Sequence, residues 1–88
     1  MREWTPDLDR PLWVQVAEII KERIAAGDYK PGFPVPSLQQ LMQEFGIGLN
    51  TARKVLGHLE DEGLVKKVPG LGTFVRRPEE RPPGGADG

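Results

Sequence analysis

No cysteine occurs among the 88 residues. Disulfides and thiolate metal sites are therefore excluded, and cysteine chemistry gives no reading of the compartment. Histidine occurs once, as His58, with no second ligand or nucleophile partner nearby. That leaves metal-assisted or nucleophilic catalysis without a constellation of groups. No glycine-rich phosphate loop follows a strand, because Gly70-Leu71-Gly72 falls inside a hairpin pattern. The acidic run Glu60-Asp61-Glu62 reads as a solvated helix end. No enzyme is expected, and no cofactor. No apolar run approaches the ~20 residues of a membrane helix. The N-terminus, MREWTPDLDRP, has acids and prolines where a signal peptide has its apolar core. A soluble cytoplasmic protein with no membrane partner is the default expectation.

What is present fits one small domain. A chain this short buries little apolar area and depends on compact packing. Net charge is −1, but the charge is unevenly spread. Residues 1–46 hold five Lys/Arg against seven Asp/Glu, whereas residues 47–77 hold six against three. The acidic surplus returns in residues 78–88, with one Arg against three acids. A basic face can thus exist on a slightly acidic chain, with a weak field.

Residues 1–10 read as a polar N-terminal arm in which Trp4 is the one large apolar group. Pro11 suits the first turn of a helix. Trp13, Val16, Ala17, Ile20 and Ile24 then mark one stripe of a helix from about Leu12 to Ala26. Gly27 ends it as a left-handed C-terminal residue. Lys30-Pro31-Gly32 predicts a turn with proline second, and Val35 a short extended contact. Ser37 with Gln40 three residues on predicts a capping box. Leu38, Leu41, Met42 and Phe45 form the next apolar stripe, closed by Gly46. A third helix is expected from about Leu49 to Glu62, with Gly63 as its stop. Leu64–Val68 and Thr73–Arg77 read as two strands around a Pro69–Gly72 turn. Residues 78–88, without an apolar anchor, are expected to be a disordered tail.

The third helix carries two stripes. Ala52, Val55, Leu56 and Leu59 repeat at helical spacing and should be buried. Asn50, Arg53, Lys54, Gly57 and His58 fall on the opposite stripe, which has no carboxylate. Gly57 inside the helix costs ~1 kcal/mol relative to alanine. An acid-free, partly cationic helix face suits entry into the major groove of double-stranded DNA. The hairpin that follows, with Lys66 and Lys67 on one arm, is placed to flank it. The expected fold is mainly α with a small β-hairpin: three helices plus a two-stranded wing over residues 11–77, a winged helix-turn-helix.

Here the chain resembles the DNA-binding domain of the GntR family of bacterial transcription regulators. The resemblance runs from Pro11 to about Val75. It is carried by PLWVQVAEIIKERIAAGDYKPG, VPS, LMQEFGI, NTARKVLGHLEDEGLV and GLGTFV at matching spacing. It implies DNA contacts from Asn50, Thr51 and Arg53, and wing-tip contacts from Gly70, Leu71, Gly72 and Thr73. Ser37 would cap its helix near a phosphate. The chain departs from the family at three positions that are commonly cationic, here Gln39, Leu49 and Leu71. Each lost phosphate contact lowers the salt slope by about one unit, so tight binding is expected to lean on the remaining cations. Two copies acting as a homodimer on a palindromic operator would add avidity. Family members continue into a ligand-binding or dimerisation domain; without one, no small-molecule effector is expected. The expected function is sequence-specific transcriptional regulation, by repression through occlusion. The alternative is a winged-helix module used for protein contact, favoured by the leucines at prospective contact points.

Overall fold

Three helices form where the apolar stripes fall. The structure, a computed structural model, describes residues 6–77. The expectations for Trp4 and for residues 78–88 lie outside the described residues. Helix α1 spans Leu12–Ala26, α2 spans Leu38–Phe45 and α3 spans Leu49–Asp61; strands β1 (Val65–Val68) and β2 (Gly72–Val75) follow. Pro11 sits one place before the first helical residue of α1, where its missing N–H is harmless.

Each helix closes on a left-handed glycine. At α3, Gly63 N–H donates to Glu60 O at 2.9 Å and Leu64 N–H to Leu59 O at 3.0 Å. These paired bonds satisfy carbonyls that a helix end leaves open. They also explain why β1 starts at Val65 rather than Leu64, whose N–H is already committed. The capping box at α2 is complete. Ser37 Oγ accepts from Gln40 N–H at 3.2 Å, and Gln40 Oε1 accepts from Ser37 N–H at 2.8 Å.

The three helices meet on one core. Val16, Ala17 and Ile20 from α1, Leu41 and Phe45 from α2, and Ala52, Val55 and Leu59 from α3 are buried together. Val65 and Val75, cross-strand partners, close its far side. Leu56, expected in the core stripe, is half-buried at its edge. Arg23 fastens α1 to α2. Its guanidinium takes both carboxylate oxygens of Glu44, bonds Tyr29 Oη at 2.8 Å and lies 5.5 Å from the Phe45 ring centre.

Two features extend the expected plan. The segment before α2 pairs with the open edge of β2: Gly32 N–H donates to Val75 O at 2.9 Å, Val75 N–H to Phe33 O at 2.8 Å and Val35 N–H to Thr73 O at 3.0 Å. Pro34, which has no N–H, stands on this edge, where proline is tolerated. The wing is thereby anchored to the helical body through its second strand. The other feature is Gln15, a buried carboxamide 7% exposed. Its Oε1 accepts from Asp7 N–H at 2.6 Å, and its Nε2 donates to Asp7 O at 2.6 Å and Arg10 O at 2.9 Å. The last part of the expected arm, 7–10, is therefore pinned to α1.

Candidate nucleic-acid interface

The turn of the wing is set by Pro69-Gly70. Leu71 N–H returns to Val68 O at 2.9 Å, and Gly70 has φ of 82°. That is the type II arrangement, which needs a left-handed third residue. The register that follows pairs Lys67 with Thr73 and Lys66 with Phe74. Side chains alternate along a strand. Lys67 and Thr73 therefore share a face with the buried Val65 and Val75, and Lys66 takes the other face.

That shared face forms one wall of a groove of about 740 Å³. The wing contributes Lys67, Leu71, Gly72 and Thr73, α3 contributes Arg53, Leu56, Gly57 and Glu60, and the start of α2 contributes Ser37, Gln39 and Gln40. Seven sequence-predicted residues meet here: Ser37, Gln39, Arg53, Lys67, Leu71, Gly72 and Thr73. Leu71 stands at the wing tip, 75% exposed, beside exposed Gly70. Leu49 and Asn50 are exposed in the first turn of α3, with Thr51 half-buried beside them.

The structure parts Lys54 and His58 from this groove. Lys54 Nζ lies 5.9 Å from the Trp13 ring centre. The His58 ring meets Trp13 edge-on at 5.2 Å, and its Nε2 is 3.0 Å from Glu62. Both side chains look toward α1. Lys21 completes that side by pairing with Glu62 at 2.9 Å, and this hydrogen bond holds the Glu62 carboxyl below the usual carboxylate range. Glu60 departs in the opposite sense. Read as part of a solvated helix end, it lines the groove, so the groove is not free of acid. A helical wheel marks which side of α3 is buried, but not which neighbour flanks each edge.

Arg10, Lys21 and Arg23 are each paired with a carboxylate, Glu18, Glu62 and Glu44 respectively. Arg53 on α3 and Lys67 on the wing both line the groove and make no ion pair among the described residues. Their charge is available to an anion. A polyanionic ridge narrow enough to lie between helix and wing is the chemistry this arrangement suits.

The family model described as bacterial regulatory proteins, gntR family, matches residues 12–75. The chain is 38% identical over 69 residues to the HTH-type transcriptional repressor NagR of Bacillus subtilis (strain 168), covering 78% of this chain and 28% of that protein. It is 39% identical over 72 residues to the mannosyl-D-glycerate transport/metabolism system repressor MngR of Escherichia coli (strain K12), covering 82% of this chain and 29% of that one. It thus spans less than a third of the length of either relative. Among solved structures, AraR(DBD) in complex with operator ORE1 superposes with a TM-score of 0.73 at 35% identity, covering 85% of this chain and 94% of that chain. Fold, register and sequence match together make this chain a member of the gntR family of bacterial regulatory proteins.

Proposed function

We propose that the chain is the DNA-reading module of a sequence-specific transcriptional regulator that represses by occluding its operator, and that it has no catalytic role. Helix α3 enters the major groove with Asn50, Thr51 and Arg53 toward the bases. The wing flanks it, with Lys67 and Thr73 on the phosphates and Leu71 at the minor groove. Two copies bind a palindromic operator as a homodimer. The observation that carries this reading is the pair of cations, Arg53 and Lys67, which line one groove and have no carboxylate partner among the described residues. Two similar proteins are named repressors, and a similar chain was solved in complex with an operator, which supports it.

The test is a salt series on duplexes selected from a randomised pool. Lys67→Ala should reduce the salt slope by about one unit, the signature of a lost phosphate contact. Lys66→Ala, on the other face of the wing, should change it less. Equal slopes for parent and Lys67→Ala would remove the wing from the interface. Glu60→Gln should act the other way. Removing a carboxylate from an anion-binding groove should raise affinity by about threefold or more at low salt, an advantage that fades as salt screens it.

The exposed leucines favour a second reading, in which this surface takes a protein partner. Leu49 and Leu71 are 41% and 75% exposed. Loss of partner capture in Leu71→Ala, with no duplex bound at any salt, would establish that reading instead.

A further inference from the structure

Most glycines in the described residues have a local reason. Gly27, Gly32, Gly46, Gly63, Gly70 and Gly72 have positive φ, a region side chains resist. Gly48 is the N-cap of α3, a position that accepts glycine. Gly57 has neither reason. It lies within α3 with helical backbone, and a Cβ built there meets nothing within 4 Å. Glycine inside a helix is destabilising relative to alanine. The fold would therefore be firmer with a side chain at this position, and nothing among the described residues bars one.

Gly57 is also a lining residue of the groove, on α3 between Arg53 and Glu60, with Lys67 and Thr73 on the opposing wall. Geometry supplies the occupant. If α3 lies in a major groove and the wing reaches the adjacent minor groove, the strand that separates the two grooves must pass between helix and wing. We infer that Gly57 is a seat for that sugar–phosphate ridge, the one point on the groove wall where the α3 backbone lets the ridge approach at van der Waals distance. This rests on the proposed DNA reading and deepens it. Arg53 and Lys67 hold the phosphates from either side, and the missing side chain sets how deeply the strand sinks between them. Shallower seating would lift Arg53 away from the bases at the same time, so Gly57 acts as a positioning residue for the reading helix.

The experiment compares the 88-residue chain with Gly57→Ala and Gly57→Leu. Both replacements favour the helix, so the thermal midpoint should rise, by roughly 4–8 °C for a domain of this size. Affinity for a duplex selected from a randomised pool should fall, about tenfold for Gly57→Ala and further for Gly57→Leu, following the cost of overfilling a packed contact. Stability and affinity moving in opposite directions is the expected result, and a purely structural role for Gly57 cannot produce it. If the parent binds and the variants bind as well or better, the seat is overturned while the DNA reading stands. If the parent binds no duplex at low salt, both fall.

Discussion

Arg53→Ala is expected to lower duplex affinity by about 1–3 kcal/mol, roughly fivefold to 150-fold, with no loss of fold stability. Arg53 is exposed on α3 and makes no ion pair among the described residues, so truncating it costs the fold no observed contact. An arginine can fork onto a guanine edge or a phosphate, whereas the alanine methyl can do neither. The two possibilities separate on sequence. If Arg53 reads a base, discrimination relaxes at one position of the selected duplex; if it holds a phosphate, affinity falls evenly across sequences. Fluorescence titration with selected and scrambled duplexes distinguishes them. Unchanged affinity for both would remove Arg53 from the interface.

Leu59→Ala should have the opposite profile. Leu59 is fully buried in the core that the three helices share with Val65 and Val75. Removing a leucine side chain from such a site costs about 2–5 kcal/mol, because lost transfer energy and the remaining cavity add. Small domains are stable by only ~5–15 kcal/mol in total, so this one change takes a large share. The urea midpoint should drop steeply with little change in slope. Below its lowered melting temperature the variant should still bind DNA, since Leu59 does not line the groove. A variant as stable as the parent would contradict the core described above.

Much of this architecture was readable before folding, for identifiable reasons. The stripes of α1, α2 and α3 and the glycines that end them are local signals, and so is the Ser37–Gln40 capping box. The Pro69-Gly70 turn pins the wing, and once Val65 and Val75 are recognised as its apolar anchors, the register places Lys67 on the groove side and Lys66 away from it. Adjacent lysines look equivalent in a charge count but sit on opposite faces of a strand. Other features depend on contacts distant in sequence. Gln15 has its partners in backbone groups of Asp7 and Arg10, and no side-chain pattern announces that. The edge pairing of residues 32–35 with β2 spans about half the domain. Lys54 and His58 shared a helical stripe with Arg53, yet α1 covers that edge of α3 through Trp13. Glu60 lines the same groove as the wing residues Lys67, Leu71, Gly72 and Thr73. For Lys54, His58 and Glu60 periodicity gave the face of the helix, and the neighbouring element decided what that face meets.

Amide chemical-shift mapping during titration with a selected duplex tests the central claim most directly. Perturbations should concentrate on Asn50, Thr51, Arg53 and Gly57 of α3 and on Lys67, Leu71 and Thr73 of the wing. The solvated side of α1, around Glu18 and Glu22, should stay unchanged. Perturbations centred on α1, or none on adding any duplex at low salt, would contradict the account.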